Sequence, residues 1–210
     1  MASESVSEDE AKITLGLLSA IEANSKVTQR SVARDLGIAL GLANAYLKRC
    51  IRKGLIKVQQ VPANRYAYYL TPQGFAEKSR LTAEYLTISL NFFRRARSEC
   101  AEVFCQCDRQ GWRRVVLAGT GDLAEIATLC ANDAGVELAG IYDPEATESE
   151  FAGLPVSTDL EAFTPFDGIV VTAFRTPQES FDALTQMISA DRIAAPALLG
   201  ISREPPTFME

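Results

Sequence analysis

Between Thr28 and Gly54 the chain reads TQRSVARDLGIALGLANAYLKRCIRKG, two short helical patterns broken at Gly37, and few folds accommodate that arrangement. The first helix is predicted to begin at Thr28, whose side-chain oxygen can cap orphan backbone N–H groups, and to bury Val32, Ala33 and Leu36. Gly37 supplies the turn. The second helix is predicted from Leu40 to Lys53. Ala43, Leu47, Cys50 and Ile51 fall on one side of it, and Gly41, Asn44, Ala45, Lys48, Arg49 and Arg52 on the other. The first side packs; the second is small, polar and cationic. A helix of that kind suits the DNA major groove: small residues permit close approach, an Asn pairs bidentately with adenine, and cations hold phosphates. A basic helix facing only solvent would show the same pattern.

The next stretch favours the groove. Ile56 to Val61 and Tyr66 to Leu70 are strand-like, and Pro62-Ala63-Asn64-Arg65 between them has turn chemistry, so a β-hairpin is expected. A hairpin directly after a reading helix is a wing, and Arg65, with Asn64 beside it at the tip, is placed to enter the minor groove. Thr71-Pro72 then opens another helix with a capping residue and a proline at the first helical position. GLANAYLKRCIRKGLIK, YAYYLTPQGFAEKSRLT and the helix that follows resemble the winged-helix regulators of the MarR type, most of all the branch associated with exopolysaccharide gene clusters. The resemblance covers about Ala11 to Phe93. It implies regulation of cell-surface polysaccharide genes and a DNA-contacting set of Thr28, Gln29, Arg30, Leu40, Gly41, Asn44, Ala45, Lys48, Arg49, Arg52, Asn64 and Arg65. Ala39 departs from it, standing where such proteins often carry a capping Ser.

A net charge of -6 argues against nucleic acid until it is divided along the chain. Met1 to Arg114 holds 18 Lys and Arg against 11 Asp and Glu, a net +7, whereas Val115 to Glu210 holds 3 against 16, a net -13. The front half is suited to phosphate and the rear half is not. Composition is that of a globular protein long enough for two modest cores. No apolar run is long enough to span a bilayer, and the N-terminus is acidic where a signal peptide is basic, so a cytoplasmic location without membrane attachment is expected. The sequence contains 0 His, which removes the commonest metal ligand and general base; no metal site is expected.

Ser7-x-x-Glu10 is a capping-box pattern expected to open a first helix, with Ile13, Leu17, Leu18 and Ile21 on its apolar face. From Pro72 to about Asp108 one long helix is expected. Leu81, Tyr85, Ile88, Phe92, Ala96, Cys100, Val103 and Cys107 recur along it at steps close to a coiled-coil seam, widened by Leu86, Leu90 and Phe93. Such a stripe wants a partner. A homodimer would place two reading helices on a palindromic operator; the competing assignment is packing against the chain's own second domain. Cys100, Cys105 and Cys107 do not have a familiar metal-binding spacing and are expected to be mainly buried thiols, although Cys100 or Cys107 meeting its symmetry mate across a dimer would make a redox-sensitive pair. Cys50 and Cys130 read as core residues.

After Gly111 the pattern changes to strands alternating with helices: Val115 to Ala118, helix Asp122 to Ala134, Glu137 to Tyr142, Gly168 to Thr172, helix Pro177 to Ala190, and Ala195 to Leu199. Continuous apolar strands of this kind imply a parallel sheet covered on both faces. The expected fold class is therefore α/β: a winged helix-turn-helix over residues 1–71, a long linker or dimerisation helix over 72–110, and a Rossmann-like domain over 111–210. The first strand runs into Gly119-Thr120-Gly121-Asp122-Leu123-Ala124, a G-x-G-x-x-A turn before a helix, where the second glycine allows a diphosphate to approach and Ala124 permits close helix–sheet packing. Asp143 stands where a ribose partner would, although Asp122 and Glu125 add negative charge beside the phosphate position and Asp122 can equally cap the helix. RRVVLAGTGDLAEIA, GIYDPE, FAGLPVSTDLEAF and DGIVVTAF resemble the nucleotide-binding core of the Rex redox repressors, and also the nucleotide-sugar domain of bacterial sugar acetyltransferases and the cofactor domain of polysaccharide-modifying dehydratases. By that resemblance Gly119, Thr120, Gly121 and Leu123 line a diphosphate, Asp143 meets a ribose, Thr172 and Arg175 face the same crevice, and Asp122 completes the ligand-binding set. A nucleotide-sugar or NAD(H) is the implied ligand, the former slightly preferred.

No catalytic residue is expected. Lys is absent beyond Lys78 and Tyr142 is the sole Tyr beyond Arg114, so the Tyr-x-x-x-Lys pair of short-chain reductases is missing. The sequence thus points to a dimeric regulator that senses a nucleotide or nucleotide-sugar, with an NAD(H)-responsive redox repressor, or a ligand-independent scaffold with a protein partner, as alternatives.

Overall fold

The computed structural model describes residues 2–62 and 65–203. Two compact units divide between Leu90 and Asn91, inside the long helix and not at its ends as the pattern had implied.

The first unit is built from α1 (Ala2–Ala23), α2 (Gln29–Asp35), α3 (Leu40–Arg52), the antiparallel hairpin β1 (Ile56–Val61) and β2 (Arg65–Leu70), and the start of α4 (Pro72–Arg109). Ser7 lies within α1, so the capping box expected there does not start the helix. Thr28 does cap α2: its hydroxyl oxygen accepts the Ser31 N–H at 3.1 Å while the Thr28 N–H donates to the Ser31 hydroxyl at 3.0 Å. Gly37, at φ +63, turns the chain, and α3 starts at Ala39 with no side-chain cap. Leu17, Leu18 and Ile21 of α1, Val32 of α2, Leu47 and Cys50 of α3, and Leu55, Ile56, Tyr68 and Leu81 form one core. Thr71 opens α4, accepting the Gly74 N–H at 3.0 Å and donating to the Gly54 carbonyl at 2.6 Å. Gly74 is required there, since a Cβ would stand 2.1 Å from the Leu55 carbonyl oxygen.

Helix α4 is as long as its pattern implied, but its apolar stripe is three surfaces rather than one. Leu81 is buried in the first core, whereas Ala96, Cys100, Val103, Phe104 and Cys107 are buried in the second. Between them Tyr85, Leu86, Ile88, Leu90, Phe92 and Phe93 are exposed. The rear of the stripe therefore packs within the chain, which excludes the symmetric Cys100 or Cys107 pair: both thiols have 0% exposure.

The second unit holds β3 (Arg114–Ala118), α5 (Asp122–Ala131), β4 (Glu137–Tyr142), β5 (Glu150–Phe151), β6 (Leu154–Ser157), β7 (Gly168–Val171), α6 (Pro177–Thr185) and β8 (Ile193–Ala194). The sheet order is β5-β6-β4-β3-β7-β8, parallel throughout except where β5 meets β6. β3 and β7 are buried along almost their whole length, as continuous apolar strands require. Ala195 to Leu199 is not the last strand. Pro196 has no N–H to offer a ladder, so pairing stops at Ala194 and residues 197–199 form a 3-10 turn closed by Gly200. Helix α6 also ends early, at Thr185, and the Ser189 hydroxyl bonds the Asp191 carboxylate in a local turn that competes with helix. The β5–β6 hairpin had no expected counterpart.

Because β4 lies on one side of β3 and β7 on the other, the chain reverses direction across the sheet at β3. The carboxyl ends of β3, β4 and β7 part there, the usual place for a crevice in an open α/β sheet.

Candidate functional site

In the first unit α3 turns Ala43, Leu47 and Cys50 into the core, which forces the intervening residues outward. Gly41, Asn44, Ala45, Lys48, Ile51 and Arg52 line a shallow groove on the outer face. Gly41, Ala45, Lys48, Arg49 and Arg52 are exposed, and so is Leu40 at the first turn. Asn44 is half-buried, and its Oδ1 is covered yet has no hydrogen-bond partner among the described residues. An unpaired amide in a native fold calls for a reason. A covered oxygen is out of reach of an outside partner, and nothing in the described fold explains why it is unpaired; small residues flank Asn44 on the same face and cations follow one and two turns on.

Not every cation on α3 is uncommitted. Arg49 donates to Glu10 of α1 at 2.9 Å, an exposed pair of modest worth. Thr28 and Gln29 lie at the start of α2, with Thr28 occupied as a cap and Arg30 exposed beside it. Asn64 and the side chain of Arg65 lie outside the described residues; the Arg65 backbone opens β2 opposite Val61. The hairpin exposes two aromatic side chains, Tyr66 and Tyr69; three residues apart, they lie on opposite faces of β2, so strand alternation alone does not mark both as exposed.

In the second unit a cleft of about 720 Å³ opens at the carboxyl ends of the strands, lined by Gly119, Thr120 and Gly121 after β3, Tyr142 and Asp143 after β4, and Ala173 to Thr176 after β7. Its size is that of a small-molecule site. Of the expected ligand residues, Gly119, Thr120, Gly121, Asp122, Leu123, Asp143 and Arg175 reach the cleft. Thr172 does not: it is fully buried, and its hydroxyl lies 2.6 Å from the Gly119 carbonyl and 3.0 Å from that of Ala118, so it anchors the glycine turn from below.

The turn itself differs from a diphosphate cradle. Gly119 sits at φ +101 and a Cβ there would lie 2.6 Å from the Ala173 backbone, so this glycine lets two segments of the chain meet. Gly121, at φ +122 with open space where a Cβ would stand, is needed for its backbone conformation. Thr120 donates both its N–H, at 2.9 Å, and its hydroxyl, at 2.6 Å, to Oδ2 of Asp143, while Glu145 N–H donates to Oδ1 at 3.0 Å. Burial pushes the Asp143 carboxyl up, but the Thr120 and Glu145 donors outweigh it and hold the pKa below the ordinary value. The Gly119 N–H is also taken, by the Tyr142 carbonyl at 2.9 Å. Ala124, fully buried, provides the close helix contact its motif position implied.

Four thiols, Cys50 among them, are shifted by the same cause. Burial pushes Cys100 and Cys107 up to about 12 and raises Cys130 as well, whereas Cys105 is exposed. No group of three or more His, Cys, Asp or Glu suited to a metal ion occurs among the described residues, and no helix among them is long and apolar enough to cross a membrane.

The first unit has the architecture of a winged helix-turn-helix DNA-binding domain, and residues 10–57 match the winged helix-turn-helix DNA-binding family. Among solved structures the chain is similar to the PcaV transcriptional regulator from Streptomyces coelicolor in complex with its natural ligand, at 23% identity and a TM-score of 0.36 over 39% of this chain and 59% of that one. It is also similar to PigF with SAH, at 13% identity and a TM-score of 0.25 over 93% of this chain and 58% of that one. The chain thus spans less than two thirds of either structure, and both likenesses are distant. No curated protein matches the sequence.

Proposed function

We propose that the chain is a transcriptional regulator that binds duplex DNA as a homodimer and responds to a small effector held in the C-terminal cleft. The observation that carries the reading is the outer face of α3, where Asn44 lines a groove with Gly41, Ala45, Lys48 and Arg52. The amide suits a base edge and the cations suit phosphates. The exposed apolar stretch of α4, from Tyr85 to Leu90, is the surface on which two copies would meet. That pairing would set the spacing of two α3 helices on a palindromic site. Cell-surface polysaccharide genes are the proposed targets, from the resemblance in the winged helix.

The cleft is read as a binding site and not as a catalytic one. Tyr142, the one tyrosine there, directs its hydroxyl to the Met187 sulfur at 3.8 Å, and no lysine is present beyond Lys78. A nucleotide-sugar or NAD(H) is the ligand class that the glycine turn suggested; a scaffold without an effector is the second reading, favoured by the engagement of Thr120 with Asp143. Fluorescence anisotropy on labelled fragments from upstream of the gene, across a salt series, tests the central claim. Retention of a specific fragment that weakens steeply with salt supports it; affinity for no fragment at any salt would end it.

A further inference from the structure

The walls of the C-terminal cleft carry a charge and a chemistry that the glycine motif alone does not imply. Asp122, Asp143, Glu145, Glu148 and Glu179 all line it, against one cation, Arg175. The two acids in the first turn of α5, Asp122 and Glu125, offset the positive end of that helix. Two backbone donors of the turn, the N–H groups of Gly119 and Thr120, are already given to Tyr142 and Asp143. A diphosphate would enter a site two of whose backbone donors are occupied and whose field repels it.

The same cleft has aromatic walls. Phe92, Tyr142, Phe151 and Phe174 line it, and Phe92 and Phe174 meet edge to face with centroids 5.4 Å apart at 73°. Phe174 is 54% exposed although it borders the cleft. Aromatic faces combined with carboxylates are the surroundings that attract an organic cation, through the ring quadrupole and through charge.

We propose that the cleft takes a phosphate-free organic cation with an aromatic or apolar body, its charge facing Glu148 and Glu179 and its body against the Phe92–Phe174 pair. This rests on the reading of the cleft as an effector site and replaces the diphosphate class that the glycine turn suggested with another. The full chain is titrated by calorimetry with S-adenosylmethionine and spermidine as cationic probes, and with UDP-glucose and NADH as diphosphates, in the wild type and in Glu148→Gln/Glu179→Gln, whose two positions are exposed. At least one cationic probe is expected to bind, with affinity falling about tenfold in the double variant, and the diphosphates are expected not to bind. Binding of UDP-glucose or NADH to the wild type overturns the cation inference while leaving the effector site standing. Cation binding that the double variant does not weaken also overturns it. No binding by any of the four removes the inference and the effector reading together, while salt-sensitive DNA binding is measured separately and is untouched by that outcome.

Discussion

Thr120 gives both its backbone N–H and its hydroxyl to one oxygen of Asp143, at 2.9 and 2.6 Å, so the acid expected to hold a ribose also fixes the turn after β3. Asp143→Ala leaves both donors part-buried without that acceptor and is expected to cost about 1–3 kcal/mol. Trp112, the single tryptophan, is buried in the same core, so the urea midpoint followed by its fluorescence reads the loss. The folded pKa of Asp143 is lowered, and that of Asp167 is lowered too by N–H groups of Arg114 and Arg113. Their stabilisation is present above the ordinary carboxyl value of about 3.9 and fades as pH falls from there through the lower folded values. Asp143→Asn should make the midpoint less steep in that acid range; an unchanged slope would remove Asp143 from the turn's energetics.

The two roles proposed for α3 separate by mutation. Asn44→Ala is expected to narrow the gap between specific and random duplex by about 1–3 kcal/mol. Lys48→Ala should weaken both alike and reduce the salt slope by about 1. Parallel losses for the two variants in the anisotropy titration would take Asn44 out of base recognition.

The exposed middle of α4 gives a test of association. Leu86→Glu with Leu90→Lys places charge at two positions that are 51% and 50% exposed, where no fold-stabilising core is disturbed. Sedimentation should show a dimer for the wild type and a monomer for the double variant, with circular dichroism unchanged. A wild type that sediments as a monomer at about 50 μM, well above the ~1 μM range of moderate complexes, would rule out this face as the joining surface.

Thiol chemistry follows burial. Cys105 is exposed while Cys50, Cys100, Cys107 and Cys130 are buried, and the Cys100 and Cys107 pKa values lie near 12, so the thiolate that reacts is scarce at four positions. A chromogenic disulfide reagent at pH 8 should label one cysteine rapidly in the native protein, and Cys105→Ser should abolish that phase. Rapid loss of a second thiol would contradict the burial of the other four.

The front of the chain was legible because its signals are local. A cap at Thr28, a turn at Gly37, a hydrophobic period through Leu47 and Cys50 and two strand-like runs joined by turn residues each declare themselves within a few positions. The α4 stripe misled for the opposite reason: Leu81, Ile88 and Cys100 share one period although one enters the first core, one is exposed and one enters the second, and period alone does not say what lies opposite. The G-x-G-x-x-A turn was found correctly, yet its chemistry depends on partners far away in sequence. Thr172 faces inward to Gly119 and Ala118, Glu148 arrives from the loop after β4 and Glu179 from the first turn of α6, none of which a motif can encode. The β5–β6 hairpin escaped because two-residue strands carry almost no pattern.

The 2.9 Å contact between Arg49 and Glu10 makes α1 an internal competitor for one of the cations on the reading helix. Polyanions met at random must first dislodge a carboxylate that is already in place, and they have little to offer in exchange. The cost is the same for every duplex, so the contact would trim absolute affinity and leave the ranking of sequences to the residues that read bases.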